Sequence, residues 1–365
     1  MKRLLIAAGG GGDAITAAMV HAALHGPDTP ALVLTYAWER LVVDPVPGPR
    51  GAADFTGTLT PAPDLTLITP RAAPKAPAGS LLPRLSAQLR PALGLLDPYG
   101  GTRGLARQIH AAARWCGADR IDLVDVGGDI VARGDEPTLR SPLGDALALA
   151  ACAATGIPTT VYVAGPGLDN EVPLPLLMPR LGEPALALTP EDTEGVLAVF
   201  DWHPSEAGAV LIAAARGVRG VCGTRDAPRP LVLDDSARQV HRLTGEAALR
   251  LNPLAGALAD CRSLKAAEEV SREVCGFSEI ARERRRAEAA PPVPLPRPPA
   301  DPETLLATFR EWERARRTEG LDYVTTRRIT EELALTTVEA IRLQESLRAE
   351  APPRRVPPLW RLVGA

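Results

Sequence analysis

Five carboxylates sit where acidic side chains do chemistry in α/β proteins. Asp125 and Asp129 flank Gly127-Gly128 after the run Ile121-Asp122-Leu123-Val124-Asp125-Val126. Asp145 ends Ser141-Pro142-Leu143-Gly144-Asp145, and Asp169 and Glu171 follow Gly165-Pro166-Gly167-Leu168. Each lies at or just past a predicted strand end, beside glycines. Carboxylates on adjacent strand ends can share a hard cation, usually Mg2+, or divide into general acid and general base. Turn and cap chemistry also favours Asp beside Gly and explains any one of them; five in this pattern are more than capping asks for. Asp129, with two glycines before it to leave room for a reacting group, is the leading metal ligand or general base. Glu171 is its expected partner, and Asp125 and Asp169 complete the candidate metal set. His203, in Asp201-Trp202-His203-Pro204-Ser205-Glu206, precedes a predicted N-cap and is the best single histidine for acid/base work, with a partly buried packing role as the competing reading.

The start of the chain offers a second kind of chemistry. Leu4-Leu5-Ile6-Ala7-Ala8 is too short and apolar for a helix, and Gly9-Gly10-Gly11-Gly12-Asp13-Ala14 follows it directly. That is a strand, a tight turn and a helix start, which aims unpaired N–H groups and partial positive charge at a ligand. Gly9, Gly10, Gly11, Gly12 and Asp13 are therefore candidate anion- or nucleotide-binding residues, with Gly128 beside Asp129 as a further one. Gly9, Gly11 and Ala14 fit the loose dinucleotide spacing, and Glu39 could be its ribose acid. The Trp38-Glu39-Arg40 context argues against that, so NAD is not expected. The Ser-Gly-Gly-x-Asp-Ser loop of ATP-pyrophosphatases is matched equally incompletely, and a turn that binds nothing is the alternative. A long irregular stretch from Ala37 to Pro63 leaves the same sheet edge, which makes Arg40 and Arg50 candidates for holding an anion.

These residues need strands that end at one edge. Apolar runs near 3–8, 31–36, 65–69, 121–126, 159–164 and 218–222 alternate with helical patterns, including 81–96 and 102–116, as βαβ units do. The expectation is α/β: a mainly parallel, Rossmann-like three-layer sheet over 1–289. Residues 290–302 follow as a stiff proline-rich linker, seven prolines falling within 291–302. A small helical accessory module is expected over 303–365. Its helix–turn–helix rhythm near 325–350 comes with 11 arginines against 10 acids from Pro302 onward. A DNA reader should be plainly basic, so nucleic acid is not expected, and the module suits a protein partner or self-association.

Bulk properties agree. With 365 residues, 45% hydrophobic, 23% charged and a net charge of −3, the chain has no global field drawing it to nucleic acid or membrane. No apolar run approaches a membrane span, and the start reads as a strand rather than a signal peptide. Five scattered cysteines without Cys-x-x-Cys spacing read as reduced thiols, and a cytoplasmic location is expected.

The glycine turn, Trp38-Glu39-Arg40 with Asp44-Pro45 and Pro47-Gly48-Pro49-Arg50, Asp125-Val126-Gly127-Gly128-Asp129, Ser141-Pro142-Leu143-Gly144-Asp145 and Gly165-Pro166-Gly167-Leu168-Asp169-Asn170-Glu171 occur in one order. Over roughly residues 1–285 the chain thereby resembles the prokaryotic "domain of unknown function" family numbered 1152, with Asn170 where that pattern has Gly. The resemblance implies one recurrent design and no particular activity. The residues themselves lead to an enzyme acting on a small anionic or nucleotide-bearing substrate with a divalent metal: a transferase, hydrolase or lyase. The alternative is a non-catalytic nucleotide or metabolite sensor that signals through the C-terminal module.

Overall fold

The structure, a computed structural model, describes residues 3–225, 229–289, 298–350 and 354–362. Its main sheet contains β1 (Leu4–Ala7), β2 (Leu32–Tyr36), β3 (Leu59–Ala62), β4 (Leu65–Ile68), β5 (Ala92–Leu96), β6 (Ile121–Val126), β7 (Thr159–Ala164) and β8 (Pro184–Ala187). A second sheet begins with β9 (Gly220–Gly223) and β10 (Leu231–Leu233), and β11 (Gln239–Thr244) returns to the first. The order of the main sheet is β8-β11-β7-β6-β1-β2-β5-β4-β3. The five central strands, β7 to β5, are parallel, and β11 with β8 on one side and β4 with β3 on the other run antiparallel. The sheet is thus large and mostly parallel.

Side chains of β1 alternate faces, as a pleated strand requires. Leu5 and Ala7 pack with α1 (Gly11–His25) and with Val210 and Leu211 of a later helix, whereas Leu4 and Ile6 pack with α3 (Gly101–Cys116) and α4 (Pro142–Thr155). Helices therefore cover both faces; β1, β2 and β6 are buried along their whole length, and β5 and β7 beyond their first one or two residues.

Three expectations need correction. Residues 81–96 form only a short helix, α2 (Leu82–Ser86), before β5, because Ala92-Leu93-Gly94-Leu95-Leu96 fills the slot between β2 and β4 and is set by tertiary packing rather than by helix propensity. The strand at 65–69 exists, but a tight hairpin with β3 makes it antiparallel to its neighbours. The strand near 218–222 belongs to the second sheet, whose order is β10-β9-β12-β14-β13.

That second sheet joins the tail to the rest. In the tail, helices α7 (Pro302–Thr318), α8 (Thr326–Glu332) and α9 (Thr337–Ala349) are interspersed with β12 (Tyr323–Val324), β13 (Arg355–Val356) and β14 (Leu359–Arg361). β12 runs parallel to β9, so the tail is tied by backbone hydrogen bonds to the α/β unit. Of the expected proline-rich linker, residues 290–297 lie outside the described residues. Two further helices matter for the site: α5 (Glu206–Ala215) and α6 (Glu279–Glu288).

Candidate functional site

The chain runs from β1 outward to β2 and β5 in one direction, then to β6 and β7 in the other. The helix after β1 and the helix after β6 lie on opposite faces, which opens a crevice at the carboxyl ends of these two adjacent strands. A cleft of about 480 Å³ lies there, within the range of small-ligand sites. Among the described residues, ten acidic side chains and five arginines line it, so an anion can enter only with a cation or with well-placed donors.

The glycine turn forms the floor beside β1. Gly9 to Gly12 avoid the left-handed region, so their need for glycine is close approach. A Cβ on Gly9 would lie 2.3 Å from Asp13 Oδ2, and one on Gly12 would lie 2.6 Å from Ser205 Oγ. Asp13 caps α1 by accepting the Gly10 N–H at 3.0 Å, and its other oxygen accepts the Val126 N–H at 3.1 Å. It therefore pins the turn to the end of β6, and burial raises its pKa to about 6.

Beyond β6, Gly127 and Gly128 take φ of 113° and 119°, a conformation only glycine holds without strain. This turn places Asp129 beside Asp125, and the first turn of α4 brings Asp145 to the same point. One oxygen from each of Asp125, Asp129 and Asp145 lies within 4.8 Å of the others, and all three residues are buried. Asp125 Oδ2 and Asp145 Oδ1 have no hydrogen-bond partner among the described residues. Burial first, and mutual repulsion second, push all three carboxyls well above the usual carboxylate range. Three oxygen ligands that close suit a hard cation, which would remove both penalties. The set differs from the expected one: Asp145 takes the third place, and Asp169 lies beside it.

Asp169 still lines the cleft. Its Oδ1 accepts the Glu171 N–H at 3.1 Å, its Oδ2 is buried without a partner among the described residues, and burial raises its pKa to about 8. Asn170 has φ 58°, the left-handed region that Gly and Asn tolerate best.

Glu171 is placed as an anchor rather than as a partner free to exchange protons with Asp129. Its Oε2 accepts the N–H groups of Arg140 (2.7 Å) and Ser141 (2.8 Å), and its Oε1 accepts the Ser141 hydroxyl at 2.5 Å. It fixes the start of α4 and hence Asp145. Glu39 similarly accepts the Leu81 N–H and the Ser80 hydroxyl, so it holds a loop and has no ribose-binding role to offer on that oxygen. Arg50 is absent from the cleft wall; it donates to the carbonyls of Val46, Pro47 and Gly48 and pairs with Asp44 at 3.1 Å, closing the 44–50 turn. His203 lines the cleft. Its Nδ1 accepts the Ser205 N–H at 3.2 Å, and burial lowers its pKa to about 4, so it is neutral near pH 7.

Glu279, Glu283 and Arg327 escaped the sequence, whereas Arg40, expected to hold an anion, does line the cleft but is engaged by Glu279. Arg40 Nε donates to Glu279 at 2.7 Å, and the guanidinium stacks over Trp38 while lowering the charge burden on Asp145 and Asp13. Glu283 accepts Trp38 Nε1–H and the Gly48 N–H, both at 2.7 Å. Helix α6 thus clamps the 38–50 segment onto the site. From the tail, Thr325 Oγ1 donates to Glu206, and Arg327 reaches the cleft wall with its guanidinium 3.9 Å from the same carboxylate. Nothing in the sequence of α6, with its basic run Arg282-Glu283-Arg284-Arg285-Arg286, signals that its glutamates do the clamping.

Compared with curated proteins and with solved structures, the chain finds no significant match in either. A family model described as "Protein of unknown function (DUF1152)" matches residues 4–287 and so takes in the glycine turn, all three clustered aspartates and the α6 clamp. The matched span is well over half of the chain, and the chain belongs to this family.

Proposed function

We propose that the chain is a metal-dependent enzyme of Rossmann-like build that acts on a small anionic or nucleotide-bearing substrate. The observation that carries this reading is the convergence of Asp125, Asp129 and Asp145 beside an unblocked helix start at Gly11-Gly12. Asp125, Asp129 and Asp145 would hold Mg2+ or a similar ion, which would supply a Lewis acid next to the substrate. The chain's own part is positional. Asp13 fixes the glycine turn, Glu171 fixes the start of α4, and the Arg40–Glu279 pair balances charge at the wall. Asp169, whose Oδ2 is unsatisfied and whose pKa near 8 suits proton exchange at neutral pH, is the general acid/base candidate in place of Glu171. Five free thiols fit a cytoplasmic setting. The test is turnover of a panel of phosphorylated and nucleotide metabolites, followed by mass spectrometry with Mg2+ and with EDTA; metal-dependent conversion is expected, and Asp129→Asn should abolish it.

One observation favours a second reading, a sensor that reports through its tail: Thr325 and Arg327 reach Glu206 at the cleft wall from outside the family-matched span. Saturable binding across that panel with no conversion of any member would select it.

A further inference from the structure

We propose that the cleft holds a phosphate-binding subsite, distinct from the three-carboxylate cation site, formed by the N–H groups of Gly11 and Gly12 and the Nε2–H of His203. This deepens the reading above by naming the chemical class of the substrate's anionic end.

The amides come from the start of α1. The first N–H groups of a helix have no acceptor inside it. Asp13 takes the Gly10 N–H, and the N–H groups of Asp13 and Ala14 bond to the Gly10 carbonyl. Gly11 and Gly12 remain, and both line the cleft. The missing side chain brings the ring close, because a Cβ at Gly11 would stand 3.3 Å from His203 Nε2, with Leu82 and Leu85 at 3.6 and 3.8 Å.

The histidine is the independent observation. A backbone N–H can only donate, so its bond from Ser205 requires His203 Nδ1 to be the acceptor and places the ring proton on Nε2. His203 is 9% exposed, and Nε2 has no partner among the described residues. A buried donor without an acceptor costs free energy that a ligand oxygen would recover. The ring is held by design: Trp202 lies edge-on with centroids 5.4 Å apart, and Trp202 is itself fixed by its bond to Gln88 and by Arg84 stacked over it. Its depressed pKa keeps the ring a neutral donor at physiological pH.

Three neutral donors and a helix N-terminus match the three free oxygens of a phosphoryl group better than the two of a carboxylate. Glu206, at the start of α5, does not oppose this, since its carboxylate is engaged by the Arg225 N–H, Thr325 and Arg327. The cation site is close. Asp145 Oδ2 lies 3.8 Å from a Cβ position at Gly9, and Gly9 and Gly11 are two residues apart, at most about 7.6 Å between Cα atoms. A phosphoryl group on the subsite could therefore present other oxygens of the same ligand to the metal.

Isothermal titration of the full chain with inorganic phosphate tests this, with acetate as the carboxylate arm and Mn2+ titrated separately. Wild type should bind phosphate and prefer it over acetate. His203→Leu should weaken phosphate by about tenfold or more, while His203→Gln, which keeps a donor, should lose less. Mn2+ affinity should be the same in all three. Phosphate binding unchanged in His203→Leu, acetate binding as well as phosphate, or no phosphate binding by wild type would overturn the subsite. Phosphate binding that depends on His203 in a protein that takes no Mn2+ would support the subsite and sink the metal reading instead. Should His203→Leu fail to fold, 15N-histidine NMR of wild type decides: phosphate must shift the Nε2–H resonance of His203, and an unmoved resonance at saturating phosphate refutes the proposal.

Discussion

Burying Asp125, Asp129 and Asp145 side by side destabilises the chain wherever nothing neutralises them. Asp125→Asn or Asp145→Asn should therefore raise the melting temperature of the metal-stripped protein at pH 8, a gain on the order of 1–3 kcal/mol, while weakening metal binding. A loss of stability in EDTA would mean that these carboxylates make structural bonds. The pH dependence follows from the same burial. Asp13 and Asp169 titrate at about 6 and about 8 in the folded chain, above the ordinary 3.8, with burial as the first cause. Groups with raised folded pKa bind more protons folded than unfolded. Their contribution is fully present below the unfolded pKa and is lost as pH rises through the folded values. His203 has the opposite sign, but its window lies between about 4 and 6.5. In EDTA the protein should thus melt lower at pH 8 than at pH 6, and a divalent ion should restore more at pH 8. Differential scanning fluorimetry measures both, and a melting temperature that rises from pH 6 to 8 in EDTA would contradict the sign. At this scale the sequence was informative about residue type and poor about partnership. Strand-end acids beside glycines were visible, yet which three share a point depends on how α4 folds back over Gly9, a contact between residues more than a hundred positions apart.

Elements position these residues through close approach. Gly9→Ala would put a methyl group 2.3 Å from Asp13 Oδ2 and dislodge the cap that ties the turn to β6. A loss of roughly 1–3 kcal/mol is expected in urea unfolding, and wild-type stability would show that the turn has slack. Helix α6 acts by clamping. Glu283→Gln replaces one of two acceptor oxygens with an amine facing either Trp38 Nε1–H or the Gly48 N–H, at a cost of about 1–3 kcal/mol. Limited trypsinolysis should then cut at Arg40 sooner than in wild type; an unchanged cleavage rate would remove α6 from the site's support. The strand–turn–helix at 4–25 was legible because pattern, glycines and cap all agree locally. Strand β5 was not, because Ala-Leu-Gly-Leu-Leu carries helical propensity that the gap between β2 and β4 overrides.

For the whole molecule, the tail is the main departure from expectation. Its helices have their own apolar cluster around Phe309 and Trp360, but Tyr323 and Leu359 pack into the main core and β12 lines up with β9. The strand near 218–222 was visible in the sequence, but its parallel partner β12, two residues long and roughly a hundred positions further on, carries too little pattern to be seen. A chain ending at Ala289 would expose the β9 edge and lose the Thr325 bond to Glu206. It should melt lower and self-associate in size-exclusion chromatography; a monomer with wild-type melting temperature would make the tail dispensable to the fold.

Electron paramagnetic resonance of Mn2+ measures the cation site directly. Titrating wild type should quench the free-Mn2+ signal with one ion per chain. Asp125→Asn, Asp129→Asn and Asp145→Asn should each weaken that binding by about tenfold or more. Asp122→Asn, at the far end of β6 beside His25, should bind as wild type does. A free-Mn2+ signal unchanged by millimolar wild-type protein, or Asp129→Asn titrating like wild type, would contradict a metal site at the end of β6.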